Sequence, residues 1–175
     1  DLYLAAGSTE FPAGSELYLD RLFVNDGKGG FAPAENALPD ARISSQAVAS
    51  ADIDSDGDLD LFVGGRNVPG QWPAPPQSKV LINNGRGTFS DGSTAWLGDR
   101  TALGLVTDAL FADVDSDHTP ELLICGEWMS IHVLKSDGKR FTDISSATLD
   151  TTLEIDVNSN RIMTRRWSRH PRCEC

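Results

Sequence analysis

The sequence predicts an all-β chain of four-stranded antiparallel units that repeat at intervals of about 60 residues. Three observations carry that prediction. An acid, an apolar run and a glycine recur as Asp1-Leu2-Tyr3-Leu4-Ala5-Ala6-Gly7, Asp60-Leu61-Phe62-Val63-Gly64-Gly65 and Glu121-Leu122-Leu123-Ile124-Cys125-Gly126. A second apolar run ending in a tight-turn sequence follows each copy. No segment shows a helical period with caps.

The elements follow in order. Each acid-led run reads as a buried strand. The run after it is Arg21-Leu22-Phe23-Val24-Asn25-Asp26-Gly27 in the first unit, Lys79-Val80-Leu81-Ile82-Asn83-Asn84-Gly85 in the second, and Ile131-His132-Val133-Leu134-Lys135-Ser136-Asp137-Gly138 in the third. Asn-Gly and Asp-Gly supply the positive φ that a tight hairpin needs, and Phe31, Phe89 and Phe141 lead the returning strands. A further strand precedes each internal acidic loop, at Ala47-Val48-Ala49-Ser50-Ala51 and Asp108-Ala109-Leu110-Phe111-Ala112. Each unit is thus strand, acidic loop, strand, long connection, strand, turn, strand.

Tandem four-stranded units read as β-propeller blades; a Greek-key sandwich has no reason to place the same loop at the same point of each unit. The blades are expected at roughly 1–40, 45–95 and 105–148, within a repeat region 1–150. A closed propeller takes 4–8 blades, so the reading is of part of a larger propeller. Residues 151–175 differ: five arginines against three acids make them +2, and leave −13 of the formal −11 on residues 1–150. They read as an atypical basic tail, truncated or foreign to the repeat.

So acidic a surface argues against nucleic acid and anionic membranes and favours cations or basic partners. No apolar run approaches the ~18 residues of a membrane helix, so no direct membrane insertion is expected. Three cysteines, Cys125, Cys173 and Cys175, make no disulfide framework, and Cys125 reads as a small buried thiol.

The chemistry lies in the acidic loops. Five of the nine residues in Asp52-Ile53-Asp54-Ser55-Asp56-Gly57-Asp58-Leu59-Asp60 are aspartate. A hard divalent cation resolves the repulsion of such a run. Calcium accepts six to eight oxygens in flexible geometry, and alternating acids let side chains converge on one point. The expected ligands are the side chains of Asp52, Asp54, Asp56 and Asp60 and the backbone carbonyl of Asp58, with Gly57 at the sharp turn and Ile53 and Leu59 pointing away to anchor the loop. An EF-hand would need a glutamate at position twelve, where Val63 stands, and flanking helices. The second loop, Asp113-Val114-Asp115-Ser116-Asp117-His118-Thr119-Pro120-Glu121, keeps acids at one, three, five and nine, with Thr119 at position seven. His118 replaces the glycine, so a weaker site is expected, with the histidine as a turn residue. Asp156-Val157-Asn158-Ser159-Asn160 has the alternation but neither glycine nor closing acid, and reads as chance, with no strand after it.

The D-x-D-x-D-G-x-x-D loop followed by Leu61-Phe62-Val63-Gly64-Gly65 resembles the FG-GAP repeats of integrin α-subunit propellers. It is still more similar to the related repeats of secreted bacterial proteins, often called VCBS repeats. The resemblance covers about residues 1–145. It implies a seven- or eight-bladed propeller with calcium on one face, used extracellularly for recognition or adhesion, and calcium at Asp52, Asp54, Asp56, Asp58 and Asp60.

No G-x-S-x-G or H-E-x-x-H is present, and Gly27-Lys28-Gly29-Gly30 lacks P-loop spacing and lies in a hairpin. The three histidines, His118, His132 and His170, neither repeat nor cluster. The expectation is a non-enzymatic, calcium-stabilised module, extracellular, on the cell surface or periplasmic, that binds a protein or glycan. The alternative is a non-catalytic or partial domain of a secreted polysaccharide-active enzyme. Trp72, in the stiff segment Val68-Pro69-Gly70-Gln71-Trp72-Pro73-Ala74-Pro75-Pro76, reads as packing on a neighbouring blade, with ligand contact as the competing role; Trp96 and Trp128 read as packing residues.

Overall fold

A computed structural model describes residues 1–145 throughout, and residues 151–156 and 161–166 as backbone. Three antiparallel sheets follow one another along the chain. The first holds β1 (Leu2–Leu4), β2 (Arg21–Asn25) and β3 (Phe31–Pro33) in that order. The second is β4 (Ser44–Ala51), β5 (Asp60–Asn67), β6 (Lys79–Asn83) and β7 (Phe89–Asp91). After a one-turn helix, α1 (Ser93–Leu97), the third repeats it with β8 (Leu105–Ala112), β9 (Glu121–Glu127), β10 (His132–Ser136) and β11 (Phe141–Asp143). These are all-β, up-and-down sheets of the propeller-blade kind.

The two four-stranded sheets match in detail. β4 bulges against β5 between Ser45 and Ala47, and β8 bulges against β9 between Val106 and Asp108. A bulge at one point of each inner strand adds twist and re-aims the strand ends. The hairpin turns also correspond. Asp26 Oδ1 accepts from the Lys28 and Gly30 N–H groups, Asn84 Oδ1 from Arg86 and Thr88, and Asp137 Oδ1 from Lys139 and Arg140.

Each four-stranded sheet is closed by an Asp-x-Ser step after its last strand. Ser93 Oγ accepts from the Val80 N–H and bonds to Asp91; Ser145 Oγ accepts from the Val133 N–H and bonds to Asp143. In the second sheet this step runs into α1, which sequence reading did not anticipate. Five residues are too few to show a helical period, and only tertiary packing holds so short a helix. Its Trp96 is buried against Phe141 of the next sheet, with ring centroids 5.3 Å apart.

The core lies between sheets. Ala47, Ala49, Ala51, Ile53 and Phe62 of one unit meet Val106, Ala109, Leu122 and Ile124 of the next. Close approach is built into the sequence: a Cβ on Gly64 would stand 2.5 Å from Val106 Cγ1. Arg66 and Glu127, at one repeat position in successive units, pair at 2.8 Å across the same junction. Between the first and second sheets Leu61, Val63 and Leu81 pack with Tyr3, Leu38 and Val48. Asp20 ties that junction, accepting from Tyr3 Oη at 2.7 Å, the Ala6 N–H at 2.7 Å and Ser45 Oγ at 2.6 Å.

Several expectations are corrected. Cys125 is exposed, because the alternation of a strand puts it opposite Leu122 and Ile124, on the face away from the inter-sheet core. Trp128 is 79% exposed at a positive-φ turn, and Trp72 is 58% exposed, so neither is a packing residue. A strand does follow Asp156: β12 (Thr151–Asp156) and β13 (Arg161–Arg166) form an antiparallel hairpin with Asp156 opposite Arg161. The third acidic alternation, beyond Asp156, lies outside the described residues. Among those residues no helix is long and apolar enough to cross a membrane.

Candidate metal centre

Both acidic loops link the first two strands of a four-stranded sheet, 52–59 between β4 and β5 and 113–120 between β8 and β9. They share one hydrogen-bond scaffold. Asp52 accepts from the N–H groups of Asp56 (3.1 Å) and Gly57 (3.1 Å); Asp113 accepts from those of Asp117 (3.2 Å) and His118 (2.9 Å). Asp56 Oδ1 accepts from the Asp58 N–H, and Asp117 Oδ1 from the Thr119 N–H. The closing acid is buried in each loop and reaches back across it: Asp60 Oδ2 accepts from Ile53 N–H at 3.0 Å, Glu121 Oε2 from Val114 N–H at 2.9 Å. Ser55 and Ser116 take φ of 66° and 65°, and Gly57 and His118 take 96° and 71°. His118 therefore adopts the left-handed turn that glycine adopts in the first loop, as histidine does more readily than most residues.

The fold brings together carboxylate oxygens of Asp52, Asp54 and Asp60, all within 4.8 Å of one another, and those of Asp113, Asp115 and Glu121 likewise. Asp56 and Asp117 border these groups through their turn hydrogen bonds. The Asp58 side chain leans away, against Gly85 of the β6–β7 turn, and Thr119 offers no carboxylate. Of the two residues expected to anchor the first loop, Ile53 does so from the core, while Leu59 is 59% exposed.

The carboxyls of the first loop crowd one another. Burial, then the charge of Asp56, pushes the Asp54 carboxyl above its ordinary value. Burial likewise raises Asp60, against the hydrogen bonds from Asn83 and Ile53 that favour its ionised form. Among the described residues no lysine or arginine pairs with any of the five aspartates. The donors are all oxygen, several are anionic, and they converge, which fits a hard divalent ion.

The second loop differs at one point that sequence reading missed. Lys135 Nζ bonds to Asp115, lies 2.6 Å from Asp117 Oδ2 and lies 3.3 Å from Glu121 Oε1. The hydrogen bonds to Asp115 and Asp117 hold the ammonium well above its ordinary pKa. Strand register places it there: Leu122 pairs with Leu134 and Leu61 with Leu81, so Lys135 stands beside Glu121 where Ile82 stands beside Asp60.

Between the loops runs a cleft lined by Asp52, Ile53, Ser55, Phe111, Thr119 and Ser136. Ser136 Oγ donates to the Ile53 carbonyl at 3.0 Å, tying the first loop to the next sheet.

No curated protein and no solved structure matches the chain. Residues 1–63, which span the first sheet, β4, the first acidic loop and the start of β5, match the FG-GAP-like repeat. Over that segment the chain is similar to the FG-GAP-like repeat.

Proposed function

We propose that this chain is a calcium-stabilised propeller module for extracellular recognition of a protein or glycan, and that it does no catalysis. The observation that carries the reading is the first acidic loop, where Asp52, Asp54 and Asp60 converge without a protein cation among the described residues. Calcium there would take side-chain oxygens from Asp52, Asp54, Asp56 and Asp60 and the Asp58 carbonyl. It would offset two of the loop's five negative charges and clamp the β4–β5 link to the end of β6 through Asp60, which already accepts from Asn83 N–H at 2.8 Å. Its role is structural: it ties the link between two strands and stiffens one face of the sheet.

The concentration scale supports a location outside the cytosol. Extracellular calcium modules bind at about 10⁻⁴–10⁻³ M. With ~1 mM calcium and a Kd of ~10⁻⁴ M, a site stabilises the fold by about 1.4 kcal/mol. Exposed Trp72 and Trp128 supply flat apolar surfaces of the kind that anchor glycans or proteins.

Calorimetric titration of calcium into chelator-treated protein, with thermal melting alongside, tests the reading. Binding in the sub-millimolar to millimolar range and a melting point raised by roughly 3–6 °C are expected. Absence of heat and of any shift up to ~10 mM calcium, well above the range for extracellular modules, defeats it.

A further inference from the structure

We propose that Lys135 is the resident cation of loop 113–121, so that the chain binds one divalent ion, in loop 52–60, and not two. The inference rests on the reading of loop 52–60 as a calcium site. It is carried by the position of one side chain in an otherwise duplicated framework.

The two loops agree in the hydrogen bonds that the first and third aspartates accept and in the handedness of both turn residues. They differ in what the neighbouring strand presents. In the second unit β10 places Lys135 beside Glu121, and its ammonium meets the acids at positions three, five and nine. Those are three of the side chains that would have to ligate an ion. An ammonium carries three N–H donors and a full charge, so it satisfies three carboxylates in the way a small cation does. A divalent ion at the same point would be repelled by it and would have to expel it first.

Glu121 sharpens the point. In the first loop Asp60 divides its two oxygens between the Ile53 and Asn83 N–H groups. In the second, Glu121 Oε2 keeps the bond to Val114, while buried Oε1 has no hydrogen-bond partner among the described residues and stands 3.3 Å from the Lys135 ammonium as an ion pair. The one-methylene-longer acid and the lysine across from it therefore act as a pair. One of the loop's four negative charges is offset from within the chain, and its acids are held together whether or not calcium is present. The first loop depends on an ion from solution.

The test counts calcium ions by calorimetry and by native mass spectrometry, using calcium chloride as the probe. The unaltered chain is expected to bind one ion, and Lys135→Met two. Asp54→Asn should remove the single site, and Asp115→Asn should leave the count at one. The last pair needs no change at Lys135, so the proposal stays testable if Lys135→Met fails to fold. Two ions in the unaltered chain, or one lost on Asp115→Asn, overturns the role of Lys135 and leaves the calcium reading of loop 52–60 standing. A folded Lys135→Met that still binds one ion also overturns it. No ion in any variant removes the calcium reading and the proposal together.

Discussion

Loops 52–60 and 113–121 have nearly the same backbone and opposite ways of balancing charge. One concentrates five aspartates with no described protein cation among them; the other carries four acids and encloses the Lys135 ammonium. The residue that most visibly separates them in sequence, His118 against Gly57, is not what separates them in space. Both take left-handed φ, and both donate a backbone N–H to the first aspartate of the loop. The difference comes from a strand 14 residues beyond the loop's closing acid. A repeated scaffold and a repeated chemistry are thus separate things, because the scaffold is made by the loop's own backbone and the chemistry by what reaches into it.

Removing the closing acids should break the comparison most strongly. Asp60→Ala leaves two N–H groups, of Ile53 and Asn83, without acceptors. A cost of about 2–4 kcal/mol is expected, since each stranded buried donor costs roughly 1–3 kcal/mol, and calcium should no longer raise the melting point. Glu121→Ala strands only the Val114 N–H and leaves Lys135 with Asp115 and Asp117. Its cost in urea unfolding should be smaller by at least about 1 kcal/mol. Equal costs would mean that the two buried acids serve their loops alike.

A gentler change addresses the turn. His118→Gly relieves a left-handed non-glycine residue, an effect on the order of 1 kcal/mol, but frees the unfolded chain, which offsets roughly 0.4–1 kcal/mol of it. The melting temperature should move by no more than about 2 °C, and the calcium count should not change. A new calcium site in His118→Gly would restore the histidine as the cause of the difference between the loops.

A pH-dependent effect is expected where the two units agree. Burial alone would raise the carboxyls of Asp91 and Asp143, but hydrogen bonds from Lys79 and Ser93 in one, and from Ser145 and His132 in the other, hold both below the ordinary value of 3.8. A carboxyl depressed in the folded state adds stability above its unfolded pKa and loses it as pH falls through the folded one. Asp91→Asn and Asp143→Asn should each cost about 0.5–1.5 kcal/mol at pH 7. In urea melts at pH 3 and below, the gap to the unaltered chain should shrink for both. A gap independent of pH would show that these acids act through shape alone.

The parts of the molecule legible in sequence were those written by near neighbours. Acid, apolar run and glycine placed β1, β5 and β9; Asn-Gly and Asp-Gly placed the hairpins; alternating aspartates placed both loops. Such features depend on residue period and on φ preferences within a few positions, so they survive without knowledge of the fold. Leu59, Trp128 and Cys125 were misjudged because an apolar residue near a strand end can face either way, and only the packing of adjacent sheets decides which face is covered.

By itself, then, the sequence determined the all-β repeat and the two acidic loops. Tertiary structure alone decided that Asp20 joins the first two sheets, that Asp-x-Ser steps close the other two, and that Lys135 enters the second loop. The physical reason is register: the Lys135 contacts to Asp115 and Asp117 span 20 and 18 residues, and they exist only because Leu134 pairs with Leu122. A slip of one residue in that pairing would turn the lysine to the opposite face of the sheet and leave four carboxylates to an ion from solution.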